Sequence, residues 1–425
     1  MSLFASVKFS SQSFVTNIPL IKNGYNVITT EKECKEKTDF YTKKPILRKL
    51  KILTNNEPEI IKLIGLSDEE YVDIFYMSPI KIGDQEFRVL LDTGSADFWV
   101  DSNKCESKAC NKSRGFDETS KSFFNLGESI FTAYGSGESI VGMISGKDDV
   151  TIGNITAKNQ TFGRAIIKTD DFFGPPIDGI LGMSLNSLSK LKAPNVFSTL
   201  IEQNKFLEPI FSFYLRRSKS DKDNNFATLT LGGVDKEKFS GDIVNNKVIG
   251  ESGFWVINLE DVLIDKNNLK IGKRKAIIDT GSTFIFTPFE DAKKIHEKIK
   301  DSINMGDGNF AIPCNTTSVV SLQFNGIVYD IDPRDLSTNS DSSIPKGFCA
   351  SGILGTETIS NSIAKTAEWL IGNVFLKNVY SVFNTKEKTV GFAPSVHDWW
   401  LNKQVFLNWI TAQYYSKLLL ILYDL

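Results

Sequence analysis

The chain has 425 residues, too many for one hydrophobic core, so two domains or lobes are expected. It is 41% hydrophobic and 24% charged with a formal net charge of −2, a globular composition without the basic excess that nucleic-acid binding needs. No apolar run reaches the ~18 residues of a membrane-spanning helix, so no transmembrane span is expected.

Histidine occurs only at His296 and His397. A histidine-rich zinc site lacks ligands, and a Ser-His-Asp or Cys-His enzyme would have to use one of these two. No CxxC or Cys/His cluster points to a metal, and no cofactor motif stands out. An enzyme built from this sequence would rely on carboxylates.

In chain order, the opening stretch has no basic region followed by a continuous apolar one, so no signal peptide is visible. Lys43, Lys44, Arg48, Lys49 and Lys51 then run without an acid among them, which by itself reads as a solvated face. From about residue 70, short runs rich in Val, Ile, Phe and Thr alternate with Gly, Asn, Asp and Ser, which predicts mainly β structure. Helices are expected to be few and short. One is EDAKKIHEKIKDSI, whose charge places His296 on a solvated face.

Two of the short runs are nearly the same. VLLDTGSADFWV (89–100) and AIIDTGSTFIF (276–286) each lead from aliphatic residues through Asp-Thr-Gly-Ser into aromatic ones. Each is followed at similar delay by two aliphatic residues and a glycine. Asp92 precedes Gly182 by 90 residues, and Asp279 precedes Gly372 by 93. The repeat predicts two related β-lobes, each presenting one aspartate at the same place.

The five cysteines leave two readings open. Cys105 and Cys110 enclose a short loop, and Cys314 and Cys349 bracket a longer one. Two disulfides with Cys34 left over would indicate an oxidising compartment, whereas five reduced core cysteines would not. Acceptor tripeptides at Asn111, Asn154, Asn159 and Asn315 lean toward the secretory pathway.

The repeated turns suit a specific chemistry. An aliphatic lead-in puts each Asp at the end of a buried strand, and the glycine permits a tight turn. Burial raises a carboxyl pKa, while hydroxyl and backbone N–H donors favour the anion. Two such groups brought together resist double ionisation and share one proton. One can then deprotonate a water while the other protonates a carbonyl oxygen, which hydrolyses an amide without metal or histidine.

At these residues the sequence resembles the pepsin-like aspartic proteases, with likeness to the fungal branch, over roughly residues 70–394; the proton-sharing dyad is that family's established property. The resemblance implies an all-β, bilobal fold with the active-site cleft between two related lobes. It implies Asp92 and Asp279 as catalytic residues, and Thr93, Gly94, Ser95, Thr280, Gly281 and Ser282 as their supports. A family flap that closes over substrate matches Tyr134-Gly135-Ser136-Gly137, with Tyr134 bonded to Trp99; Tyr134 follows Asp92 by 42 residues. Cys105–Cys110 and Cys314–Cys349 fall where family disulfides occur. Further matches are FSFYL (211–215), LTLGGVD (229–235), FWVINLEDV (254–262) and the run at 369–394.

The implied organisation is an inhibitory propeptide at 1–65, a first catalytic lobe at 66–249, a second at 250–396, and an apolar extension at 397–425 without assigned role. The implied function is an acid-acting endopeptidase made as a zymogen, a monomer needing no cofactor or metal, with polypeptide substrates and a secreted or acidic vacuolar location. Asp97 and Asn373 depart from common family residues and are expected to affect the pH optimum rather than the dyad. A catalytically dead peptide-binding relative is the alternative, as is a purely structural two-lobed scaffold. Both leave the intact repeated turns without a use.

Overall fold

The computed structural model describes residues 58–67, 73–135, 137, 139–172, 177–216, 227–338, 343–356 and 366–396. Cys34, the basic run at 43–51, His397 and the C-terminal extension lie outside these residues.

The described chain is mostly strand, in a bilobal all-β arrangement. An eight-stranded sheet dominates the first half. Its spatial order is Ile64–Ser67, Asp73–Ile82, Gln85–Asp92, Gly179–Gly182, Phe98–Asp101, Ile155–Lys168, Ser139–Ile152 and Phe124–Tyr134. In the second half a five-stranded sheet runs Val256–Leu259, Arg274–Ile278, Trp369–Ile371, Ile285–Pro288 and Ile353–Thr356.

The sequence repeat becomes a repeat of topology. Gln85–Asp92 lies parallel to Gly179–Gly182, which runs antiparallel to Phe98–Asp101. Arg274–Ile278 lies parallel to Trp369–Ile371, which runs antiparallel to Ile285–Pro288. The aliphatic-aliphatic-Gly element is therefore the strand wedged between the two arms of each Asp-Thr-Gly-Ser turn. Its glycine must be small. A Cβ on Gly182 would sit 2.5 Å from the Ala96 carbonyl carbon, and one on Gly372 would sit 2.3 Å from the Ser282 oxygen. The two copies of the sequence repeat thus occupy equivalent places in their sheets.

A six-stranded sheet joins the halves: Glu59–Lys62, Thr228–Leu231, Ile210–Tyr214, Val379–Asn384, Thr389–Pro394 and Val244–Lys247. Its strands come from both sides of residue 250, so the two lobes share it. Phe211 stacks on Phe383 at 5.0 Å and meets Trp255 edge-on at 6.0 Å, within a core that runs through both halves. Burial of each such ring contributes roughly 1.5–3 kcal/mol. Glu59–Lys62 is an edge strand paired with Thr228–Leu231, and it lies on the N-terminal side of residue 65.

Both cysteine pairs are joined, Cys105 to Cys110 and Cys314 to Cys349, so the reading with reduced cysteines is set aside.

His296 corrects an expectation. It does not lie on a solvated face: it is 1% exposed, with Ala292 and Ile295 buried beside it on the helix Phe289–His296 and Ile299 buried just past its end. Its ring stacks on Phe310 at 3.9 Å, with Nδ1 2.7 Å from the Ala292 carbonyl oxygen and Nε2 2.8 Å from Ser351 Oγ. Burial lowers its pKa to about 4 from the ordinary 6.5. The unfolded chain therefore takes up this proton first as pH falls. Stability associated with His296 is present above pH 6.5 and is lost between there and pH 4, by about 3 kcal/mol. His296→Phe is expected to flatten the fall in urea midpoint across that window, even though it leaves Ser351 and Ala292 a partner short. An equally steep fall in the variant would assign the acid sensitivity elsewhere.

Candidate active site

The two Asp-Thr-Gly-Ser turns meet at the junction of the lobes, and their bonds form a near two-fold pattern. Thr93 Oγ1 donates to the Ile278 carbonyl at 2.9 Å and accepts from the Thr280 N–H at 3.0 Å. Thr280 Oγ1 donates to the Leu91 carbonyl at 2.9 Å and accepts from the Thr93 N–H at 3.1 Å. Each threonine thus crosses to the opposite lobe and satisfies one donor and one acceptor there. All four groups are buried, where an unpaired polar atom costs about 1–3 kcal/mol, so the cross-links fix the relative position of the turns.

The carboxyl groups are held in the same symmetric way. Asp92 Oδ1 accepts from the Gly94 N–H at 2.8 Å, and Asp279 Oδ1 accepts from the Gly281 N–H at 2.8 Å. Ser95 Oγ donates to Asp92 Oδ2, and Ser282 Oγ donates to Asp279 Oδ2 at 2.8 Å. Gly94 and Gly281 leave room for the opposing carboxyl. A Cβ on Gly94 would lie 2.6 Å from the Asp279 carboxyl carbon, and one on Gly281 would lie 2.3 Å from Asp92 Oδ1. Alanine at either place would strike the partner aspartate.

Both aspartates are 0% exposed. Burial first, then the Asp92 charge and a hydrogen bond with Asp92, push the Asp279 carboxyl well above the usual carboxylate range. Ser282 and the Gly281 N–H pull the other way without reversing it. The Asp279 carboxyl therefore holds its proton to higher pH than a free carboxyl does.

The tyrosine hairpin stands on the first lobe. Phe124–Tyr134 pairs antiparallel with Ser139–Ile152, with Tyr134 opposite Ser139. Tyr134 Oη lies 2.6 Å from Trp99 Nε1, which donates to it. Burial first, then the charges of Asp97 and Asp92, raise the phenol pKa well above its ordinary value, so Tyr134 remains a neutral hydroxyl. Gly135 has a φ of 65°, which glycine adopts without strain. Ser136 lies outside the described residues.

Asp97, just past the first turn, is another buried carboxylate, and its hydrogen bonds run to a different loop. It accepts from Ser189 Oγ at 2.6 Å and from the N–H groups of Lys190 and Leu191 at 2.9 and 3.1 Å, so it anchors that loop. Asn373 sits under the second turn, its Nδ2 donating to the Thr280 carbonyl at 3.3 Å. Phe172, which no motif singled out, packs edge-on against both Trp99 and Tyr134 at 5.9 and 5.8 Å. Asp101 comes close to Cys105 and Cys110, but those sulfurs are bonded to each other and offer no thiolate to a metal.

Comparison with known proteins agrees with this geometry. The eukaryotic aspartyl protease family profile matches residues 75–395. A probable aspartic-type endopeptidase CTSD of Trichophyton verrucosum is 33% identical over 339 residues, covering 79% of this chain and 64% of that protein. The chain thus spans a little under two thirds of that relative's length. Pepsin A of Sus scrofa is 33% identical over 346 residues, 79% of this chain and 86% of that protein. Chymosin of Camelus dromedarius is 31% identical over 404 residues, 93% of this chain and 98% of that protein.

Proposed function

The chain belongs to the eukaryotic aspartyl protease family, and from that premise we propose that it is an acid-acting aspartic-type endopeptidase with Asp92 and Asp279 as its catalytic pair. The observation that carries the reading is the meeting of two buried aspartates, each held by its own glycine N–H and serine hydroxyl. With one proton on the pair, the ionised carboxyl takes a proton from a water positioned between them. The protonated one donates to the carbonyl oxygen of the scissile peptide. A tetrahedral gem-diol forms, and its collapse returns a proton to the departing amine nitrogen.

Around that step Thr93 and Thr280 keep the carboxyls in register across the lobes. The backbone at Gly135 hydrogen-bonds an extended peptide as a neighbouring strand would, with Tyr134 and Trp99 behind it. Substrates are polypeptides with large apolar residues beside the cleaved bond, in keeping with the aromatic surroundings of Tyr134 and with Phe284 and Phe286 after the second turn. Two disulfides and four exposed acceptor asparagines, Asn111, Asn154, Asn159 and Asn315, support an oxidising compartment on the secretory route; in this reading the protein is secreted or vacuolar and acts as a monomer.

Residues 1–65 form an inhibitory propeptide in this reading, followed by lobes at 66–249 and 250–396. The match to camel chymosin supports a shared layout ahead of the first lobe, because it takes in 93% of this chain and so runs beyond 75–395.

The pH profile tests the mechanism. Activity requires one proton on the pair, so it falls in strong acid as the second proton binds. It falls again as pH rises past the elevated Asp279 pKa. Acid-treated protein should cleave peptides along this bell and be blocked by pepstatin. Cleavage that climbs through neutrality, or that pepstatin leaves untouched, would overturn the proposal.

A further inference from the structure

The first lobe holds a buried ion pair that the catalytic pair does not use. Lys168 Nζ lies 2.6 Å from Asp101 Oδ2, with side-chain exposures of 3% and 1%. Resting on the reading of Tyr134 as the substrate flap, we propose that Lys168 and Asp101 are positioning residues for its aromatic backing. Through Trp99 and Phe172 they set the preference for a large apolar substrate side chain beside the flap.

The placement comes from strand periodicity and from the hydrogen bonds around Lys168. Trp99 and Asp101 are two apart on Phe98–Asp101 and so project to the same side. Lys168 ends the strand Ile155–Lys168, opposite Val141 on the return strand of the hairpin. Its own N–H donates to Ser107 Oγ at 2.9 Å, in the loop closed by Cys105 and Cys110. The next residue continues the attachment. The Thr169 N–H donates to the Ile140 carbonyl at 3.0 Å, and the Ile140 N–H donates to Thr169 Oγ1 at 3.0 Å.

The lysine head then lies 5.9 Å from the Trp99 ring and 6.0 Å from Phe172, the two rings that pack on Tyr134. Ser113 Oγ also donates to Asp101 Oδ2. One pair therefore ties together the Trp99 strand, the turn end of the hairpin, the disulfide loop and the Phe172 turn.

Stability alone does not account for this pair. Taking two charges out of water consumes most of their attraction, and apolar residues of the same volume often stabilise as well or better. Asp101 Oδ1 is buried with no hydrogen-bond partner among the described residues, so the carboxylate is not fully compensated. Such a pair does supply direction: it allows one geometry where an apolar pair would allow several. An aromatic wall that must receive a substrate ring needs that constraint, because small displacements weaken recognition steeply.

The experiment uses the full chain after acid treatment, with a peptide series that varies only one residue beside the cleaved bond, from Ala to Leu to Phe. In the double variant Lys168→Met with Asp101→Asn, which leaves no lone buried charge, KM for the Phe peptide should rise about tenfold with kcat within about threefold. The Phe-to-Ala ratio of kcat/KM should fall by a similar factor, and Lys168→Arg should restore most of it. An unchanged ratio with a lowered Tm would make the pair purely structural and overturn the proposal. Should the double variant not fold, Asp101→Asn keeps an oxygen for Lys168 and Ser113, and an unchanged ratio there overturns it equally. Wild-type protein without pepstatin-sensitive cleavage would instead fault the reading of the catalytic pair.

Discussion

Asp92→Asn and Asp279→Asn are each expected to remove peptide hydrolysis, by at least about a thousandfold in kcat, while the fold survives. Asparagine has the same shape, so its carbonyl oxygen can still accept from the Gly94 or Gly281 N–H. It cannot accept a proton from water or give one to a carbonyl oxygen at these pH values. Either change breaks both roles, because the pair acts as a unit.

Stability offers an independent readout with a definite sign. Asp279 titrates well above its ordinary value, so the folded state holds this proton more tightly than the unfolded chain does. The contribution of Asp279 to stability is fully present below the unfolded pKa, near 4, and is lost as pH rises through the folded one. Asp279→Asn should therefore be more stable than wild type at pH 7, with the difference closing in acid. Thermal unfolding at pH 7 and at about pH 3.5 checks this, alongside peptide turnover. Near-normal turnover in either variant would end the mechanism.

Much of this site was legible because the chemistry repeats in the sequence. Two Asp-Thr-Gly-Ser turns with a glycine-ended strand at matching delay could be paired before any fold was known, and the close packing at Gly182 and Gly372 gives each glycine its physical cause. The threonine acceptors were less accessible. Ile278 and Leu91 contribute backbone carbonyls, which carry no side-chain signature.

His296 shows a different failure. The charges in EDAKKIHEKIK drew attention to a polar face, yet Ala292, Ile295, His296 and Ile299 follow the spacing of a buried helical stripe. The periodicity was present and outweighed the charge count. Lys168 and Asp101 had no such signal. They stand 67 residues apart, and the parallel pairing of Phe98–Asp101 with Ile155–Lys168 brings them together. The six-stranded sheet was hidden for the same reason, since it gathers short strands from Glu59 to Pro394.

Full-length protein is expected to be inactive near pH 7 and to gain activity on acidification as it loses an N-terminal fragment. The basic residues Lys43, Lys44, Arg48, Lys49 and Lys51 precede a body that holds the two buried acids Asp92 and Asp279 side by side. A lysine ammonium held there gains from the low local dielectric. Asp279 regains its proton early as pH falls, because its pKa is raised, and the attraction weakens before most surface carboxylates respond. The end point of the fragment can be resolved by truncation. Glu59–Lys62 is paired on the six-stranded sheet, Ile61 and Leu63 are 5% and 4% exposed, and Glu59 Oε1 accepts from Asn154 N and Nδ2 at 3.0 and 3.1 Å. A chain beginning at Pro58 keeps this strand and should be active in acid without a lag. One beginning at Leu66 loses the burial of Ile61 and Leu63, roughly 3–6 kcal/mol, and should be active but less stable unless another segment takes the strand's place. Mass spectrometry of the acidified protein, read beside the onset of peptide cleavage, decides the matter. If the full-length chain cleaves at once in acid with its N-terminus intact, the basic run is a solvated surface and the segment is no inhibitor.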